Sequence, residues 1–297
     1  MSVMQAGAAA RIAVVLTTYN RPDALTAVLQ ALGGQDDDCF EVVVADDGSR
    51  EDTARGIDRA LDTARIAPGF KRLIHAWQPD EGFRAAAARN MAVAASSGPY
   101  LVFLDGDCLP RPDFVRQHRL LAERGWMVTG SRVLLSERLT TSTLAGREAG
   151  ALATQSLGYW AAARLRGDAN KVVPLLRVGN TALRHYRKVA WRRIKSCNLA
   201  LWRDDYLAVD GFDEAFVGWG HEDADLVLRL ARNGLRRKSG AFATEVFHLW
   251  HRENPRADEA RNRERVEARF ATGQIQASLG VSTHPNPTES IRVVFGA

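Results

Sequence analysis

The 297-residue chain reads as an α/β fold, with a mostly parallel central sheet flanked by helices. Three observations predict it. Short apolar runs rich in β-branched residues recur through the first third of the chain. Each is followed by a segment with helical spacing. Polar residues collect where the runs end. Strands that read as continuous apolar runs belong in a parallel sheet covered on both faces.

The first run is IAVVLTT, Ile12–Thr18. Pro22 then stands where a helix can begin, and Leu25, Val28, Leu29 and Leu32 repeat at helical spacing until Gly33 and Gly34 stop them. Residues 41–45 are the second strand, closed by Asp46-Asp47-Gly48-Ser49, with Ser49 placed to cap a helix through Leu61. Residues 73–77 are the third strand, and 100–104 the fourth. Between them the alanine-rich stretch 84–97 is a strong helix former. Ligands of such sheets bind outside the carboxyl ends of the strands. Thr17-Thr18-Tyr19-Asn20, Asp46-Asp47 and Asp105-Gly106-Asp107 all fall there. Any one could be turn chemistry; three together point to a site.

Residues 136–195 read as mostly helical. Within them, 181–195 (TALRHYRKVAWRRIK) would, as one helix, put Leu183, Tyr186, Ala190 and Ile194 on one face. Arg184, Arg187, Lys188, Arg192 and Lys195 would cover much of the rest. This face is either solvated or a contact for anionic lipid heads or an anionic acceptor. Beyond it come a short strand at 198–202, a short helix at 203–209, the loop GWGHED and a helix over 224–232. The tail after Pro255 begins as a charged helix and ends in the loop-like THPNPTES. The expected division is an α/β half at 1–130, a mostly helical insertion at 131–195, a second half of the same domain at 196–255, and a tail at 256–297.

Composition narrows the class. The chain is 46% hydrophobic, but no apolar run reaches the ~20 residues needed to cross a bilayer. MSVMQAGAAAR lacks a signal peptide's basic start and apolar middle. The expected location is therefore the cytoplasm, peripheral to the inner face of the plasma membrane if the basic stretch meets lipid. Cys39, Cys108 and Cys197 show no metal or redox spacing and read as reduced packing residues. The net charge of +5 suits an anionic partner. The basic residues lack the interleaved aromatics of an RNA-binding surface, so no nucleic acid is expected. No G-x-G-x-x-G follows Leu16, which disfavours a dinucleotide-binding dehydrogenase.

LTTYNRPD, VVVADDGS, EGFRAAAARN and FLDGDCLP, in that order, resemble the nucleotide-sugar half of family 2 glycosyltransferases. CNLALWRDDYLAVDGFDEAFVGWGHEDADLVLRL resembles the galactosyltransferase-type motif shared by β-1,4-galactosyltransferases and chondroitin-type polymerases. The resemblance covers roughly residues 11–130 and 196–254. It implies the Rossmann-like GT-A fold, with a helical insertion and a C-terminal acceptor-binding region.

The chemistry fits. A nucleoside diphosphate leaving group concentrates negative charge, and a hard divalent cation, Mn²⁺ or Mg²⁺, can neutralise it. Such a cation takes carboxylate oxygens, and Mn²⁺ also accepts imidazole. By resemblance, Asp107 is a metal ligand, Asp105 faces the ribose or reaches the metal through water, and Gly106 lets backbone approach the ligand. His248 and His251 in VFHLWHREN are both candidate metal ligands. Thr17, Tyr19 and one of Asp46 and Asp47 are expected at uracil and ribose, with Asp47 favoured. Arg84 and Arg89 stand near the diphosphate or the base, or else form helix-to-sheet ion pairs. Asp223 matches the catalytic base, while Glu222 helps bind the acceptor, Trp219 stacks on a sugar, and Asp225 caps or pairs. The family commonly has glycine where His221 stands, so His221 is expected at the acceptor cleft.

The expected function is inverting, metal-dependent transfer of a hexose or N-acetylhexosamine from a UDP-sugar to a glycan or lipid-linked glycan, in lipopolysaccharide or capsule synthesis. The competing readings are a degenerate, non-catalytic nucleotide-sugar-binding protein and a nucleotidyltransferase. The latter needs a glycine-rich loop after the first strand, which LTTYNRPD lacks.

Overall fold

The computed structural model describes residues 10–63, 70–146, 149–186, 188–252, 256–284 and 290–296. Its first half alternates strand and helix: β1 (Ile12–Thr18), α1 (Pro22–Gly33), β2 (Phe40–Asp46), α2 (Glu51–Thr63), β3 (Phe70–Trp77), α3 (Ala85–Ala95) and β4 (Tyr100–Asp105). β5 (Cys108–Pro110), α4 (Phe114–Leu121), β6 (Trp126–Thr129) and β7 (Arg132–Leu134) follow. α5 (Glu137–Ala145), α6 (Ala149–Ala153) and α7 (Leu157–Leu165) then lead through irregular chain to β8 (His185–Tyr186). The remainder is β9 (Asn198–Trp202), α8 (Arg203–Leu207), α9 (Glu222–Arg232), β10 (Arg236–Ser239), β11 (Val246–His248), α10 (Glu259–Thr272) and β12 (Ile291–Phe295).

Among the described residues the main sheet has nine strands, in the order β12-β3-β2-β1-β4-β9-β6-β10-β8. The block β3-β2-β1-β4 is parallel, as the apolar runs require. Outside it the sheet is mixed: β9 runs antiparallel to both β4 and β6, and β12 closes the far edge antiparallel to β3. A second sheet, β5-β11-β7, stands beyond the end of β4.

Alternation along the strands feeds two cores. Ile12, Val14 and Leu16 of β1 share one cluster with Val42, Val44, Val102 and Leu104. Ala13 and Val15 share the other with Val43, Leu101 and Phe103. α1 covers the first face, burying Leu25, Val28 and Leu32 completely. Burial of each such side chain stabilises by about 1.5–3 kcal/mol. α3 covers the second face, and its alanines let it lie close to the strands.

Two local expectations fail. Residues 181–195 do not form one helix: short 3₁₀ turns at Ala182–Arg184 and Trp191–Arg193 flank β8. Leu183, expected inside, is 91% exposed, while Arg184, expected outside, is 4% exposed. Arg184 donates to the carbonyls of Val178, Gly179, Ser239 and Ala241, binding this loop to the end of β10. The satisfied carbonyls outweigh the helical pattern. Arg187 and the Arg193 side chain lie outside the described residues. Ser49 does not cap α2, which starts at Glu51; its hydroxyl accepts from the Asn20 amide and joins the ends of β1 and β2. Most of THPNPTES and residues 1–9 of the N-terminus also fall outside the described residues. No described helix is long and apolar enough to cross a membrane.

Candidate active site

The rim begins with the ends of the parallel strands. β1 and β4 pair Thr17 with Asp105, so the chain turns at Gly106 directly beside β1. The Gly106 amide donates to the Thr17 carbonyl at 2.7 Å, and a Cβ at Gly106 would lie 2.8 Å from that oxygen. Glycine is therefore needed for the turn to close, which delivers Asp107 to the start of β5.

β11 brings the imidazoles to the same place. It pairs antiparallel with β5, setting His248 opposite Cys108. Asp107 Oδ1 lies 3.6 Å from His248 Nε2, and Oδ2 lies 3.2 Å from His251 Nε2. His251 Nδ1 donates to the Arg252 carbonyl at 2.7 Å, which turns Nε2, the lone-pair nitrogen of the neutral ring, toward Asp107. Burial holds the His248 pKa below the usual imidazole value, so its neutral form can also ligate. One carboxylate and two imidazole nitrogens make a suitable donor set for a divalent cation. Cys108 is the neighbour that the sequence did not flag: its sulfur, Asp107 and His248 offer atoms within 4.8 Å of one another. Burial raises this thiol's pKa well above normal, which disfavours the thiolate that a metal would need.

The insertion braces this corner. Trp160 of α7 stacks on Phe247 of β11, with ring centroids 4.1 Å apart. Thr140 of α5 accepts from the Trp250 amide, between the two histidines, at 2.8 Å.

Arg89 joins this side to α9. It is 5% exposed, and α3 aims it at the rim. Its Nε donates to Thr17 Oγ1 at 3.0 Å, while its two terminal nitrogens lie 3.4 Å from Asp105 and 3.4 Å from Glu222. Burial opposes its charge, but Asp105, Asp223 and Glu222 together raise its pKa. Burial pushes the Asp105 carboxyl up to about 6, against the pull of Arg89. Burial and then Asp223 push Glu222 up to about 7. Both carboxylates open α9, where the helix dipole favours them. Asp223 Oδ1 is buried and has no hydrogen-bond partner among the described residues.

The other expected residues divide. Asp46 is fully buried, accepting from the Ser49 amide at 2.8 Å and pairing with His75 at 2.8 Å. It holds the strand-end turn, so of the two aspartates Asp46 is committed to structure. Asp47 is 3% exposed, accepts from Gln78 and the Arg84 amide, and is pushed up to about 6 by burial. Thr17 offers its hydroxyl to Arg89. Tyr19 is 47% exposed and donates to Asp80 at 2.9 Å. The Arg84 guanidinium pairs with Glu81 in its own loop. Gln78 and Asp80 were missed, although they follow β3 at the same edge and obey the same strand-end rule.

Trp219 is half-buried, with the Arg256 guanidinium 4.8 Å from its ring centre. The Gly218 amide bonds the Phe83 carbonyl at 2.9 Å, tying this loop to the turn before α3. His221 adopts a left-handed backbone, φ 73°, immediately before α9. Glycine adopts that conformation freely, which gives a physical reason for the family's usual residue. The His221 ring lines a separate cleft of about 100 Å³ with Trp191, Arg192, Arg263 and Glu267, away from Asp107. Asp225 is fully buried and pairs with Arg229 and Arg269.

A parallel strand block, a carboxylate turn at its carboxyl edge and an acidic helix start facing it define a nucleotide-sugar transferase fold of the GT-A type. The fold is shared with a mannosyltransferase from Pyrobaculum calidifontis solved in complex with GDP-Man and Mn²⁺. That match has a TM-score of 0.55 at 17% identity, over 94% of this chain and 70% of the other.

Residues 13–171 match glycosyl transferase family 2, and residues 178–252 match a family described as the N-terminal domain of galactosyltransferase. The chain belongs to glycosyl transferase family 2. It is 33% identical to validoxylamine A glucosyltransferase of Streptomyces hygroscopicus subsp. jinggangensis over 75% of this chain and 52% of that protein. It is 26% identical to chondroitin synthase of Escherichia coli over 82% of this chain and 35% of that protein. The chain thus spans about half the length, or less, of these curated relatives.

Proposed function

We propose that this chain transfers a hexose or N-acetylhexosamine, with inversion, from a UDP-sugar to a glycan or lipid-linked glycan. The observation that carries this reading is the convergence of Asp107 with His248 and His251 at one end of a cluster whose other end, through Asp105 and Arg89, is the Glu222-Asp223 start of α9. Asp107, His251 and His248 would hold Mn²⁺ or Mg²⁺, which when bound supplies charge neutralisation for the diphosphate leaving group. Asp47, with Tyr19 beside it, is positioned for the base. Asp105 and Gly106 are assigned to the ribose and phosphate side, and Trp219 to a sugar ring.

The acceptor hydroxyl attacks C1 while Asp223 takes its proton, and the bond to the nucleotide breaks with its electron pair leaving on the diphosphate. Asp223 suits this task because one oxygen is buried without a partner and Arg89 holds its neighbour Glu222 in place. Glu222, near 7, can carry a hydrogen bond to the acceptor in either protonation state. The burial of Arg184 removes the helical basis for lipid docking, so the acceptor is assigned without a membrane surface.

Calorimetry tests the reading. UDP should bind with Mn²⁺ present and far more weakly with chelator or in Asp107→Asn. Asp223→Asn should retain UDP affinity but lose about 10²–10⁴-fold in turnover, the usual contribution of a general base. Equal UDP binding with and without Mn²⁺, or near-normal turnover in Asp223→Asn, would overturn the assignment.

A further inference from the structure

Beside the rim lies a cavity of about 210 Å³ whose lining includes Ser131, Arg132, Lys171, Lys195, Cys197 and Arg237. Among the described residues, none of these four cations makes an ion pair. Lys171 donates to Ser131 Oγ at 3.3 Å and Arg237 to Thr129 Oγ1 at 2.9 Å, both neutral oxygens. Asp105 and Asp107 act on Arg132 from the rim, beyond ion-pair distance, and Glu245, which acts on Lys171, is itself fully buried and accepts from the Phe242 amide. Four basic groups around one cavity repel each other unless an anion joins them.

The cavity adjoins the site. β9 pairs Asn198 with Leu104 of β4, so Cys197 sits level with Asp105. Arg132 acts electrostatically on Asp105 and His248, and Lys195 acts on Glu222 and His221. It also has a definite side. The residues assigned to the nucleotide come from β1, β2, α3 and the end of β4, whereas the cavity is lined from the end of β6, from β10 and from the loop before β9, strands that lie across β4 in the main sheet, together with Lys171 and with Arg132 of β7 in the second sheet. The short turn at Trp191–Arg193, just before Lys195, packs against α9, whose first residues are Glu222 and Asp223.

We propose that this cavity is an acceptor subsite for an oxyanion, a sugar carboxylate or phosphate, gripped by Arg132, Lys171, Lys195 and Arg237. The inference rests on the transferase reading, because the neighbouring carboxylate of Asp223 is what makes this the acceptor side. Arginine offers a planar fork for a carboxylate or phosphate, and lysine a mobile point charge.

The test measures binding of methyl β-glucuronide, glucose 6-phosphate and methyl β-glucoside to the full chain by ligand-observed NMR, with and without UDP and Mn²⁺. The two anionic sugars should bind about tenfold tighter than the neutral one, equivalent to about 1.4 kcal/mol. An Arg132→Gln/Lys195→Gln pair should lose that preference, while Arg132→Lys/Lys195→Arg keeps it and UDP affinity stays unchanged in both. Thermal unfolding confirms that each pair is folded. Equal binding of charged and neutral sugars overturns the proposal. So does a parallel loss of UDP affinity in the glutamine pair, which would give these cations to the donor diphosphate. A preference that appears only as faster hydrolysis of UDP-glucuronate than of UDP-glucose overturns it as well, by placing the anion on the donor. If UDP does not bind the wild-type chain at all, the transferase reading fails, while the titrations without UDP still report on the cavity.

Discussion

Glu222→Gln separates what the fold needs from what the reaction needs. The Glu222 carboxyl is held near 7, against an ordinary 4.5, first by burial and then by Asp223. At about 1.4 kcal/mol for each tenfold change in proton affinity, ionising it in the fold costs on the order of 3 kcal/mol. The sign follows from proton counting. The folded state binds this proton more tightly than the unfolded chain, so the cost is absent below about pH 4.5, where both are protonated. It grows as pH rises and is complete above about pH 7. Glutamine keeps the shape without the charge, and Arg89 retains Asp105 as a partner. The variant should therefore match wild type near pH 4.5 and be more stable by on the order of 2–3 kcal/mol at pH 8. Asp105 titrates in a similar window but is present in both proteins, so it cancels in the difference. Urea unfolding at the two pH values, with m shared between proteins, reads the effect directly. A loss of stability of similar size at both pH values would refute the reasoning, because it would mean that the charged form is the one the fold favours. A gain at pH 8 alongside weakened transfer would mark a carboxylate kept for acceptor chemistry at the expense of stability.

Arg184→Ala should destabilise by about 2–4 kcal/mol, since it strips a buried donor from four carbonyls. Partition onto anionic vesicles should not change with it, and flotation assays would show a loss if the residue instead faced lipid. His221→Gly should stabilise by about 1 kcal/mol through relief of the left-handed backbone, read as a higher unfolding midpoint; a fall would mean that the ring's contacts in its own cleft outweigh the strain.

The parallel block was legible in the sequence because each strand states its own burial. Val42, Val43 and Val44 cannot all be apolar unless both faces are covered, and Gly106 between two aspartates marks a turn whose side chains must face outward. Neighbours in sequence set these features, so a local pattern reveals them. The 181–195 stretch misled for the complementary reason. Its spacing suits a helix, but Arg184 bonds two carbonyls just before it and two more, Ser239 and Ala241, more than fifty residues on, and no local pattern encodes that second meeting. The basic cavity was hidden in the same way. Arg132, Lys171, Lys195 and Arg237 lie on four separate segments, and each alone is an ordinary surface cation in an arginine-rich chain. What joins them is the antiparallel placement of β9 between β4 and β6, which sets Cys197 beside Asp105 and carries the preceding Lys195 to the rim. A parallel β9 would send Lys195 to the opposite end of the sheet, away from Glu222. The reversal in strand direction therefore does more than complete the sheet: on the proposed reading, it sets the cationic acceptor subsite beside the carboxylate edge.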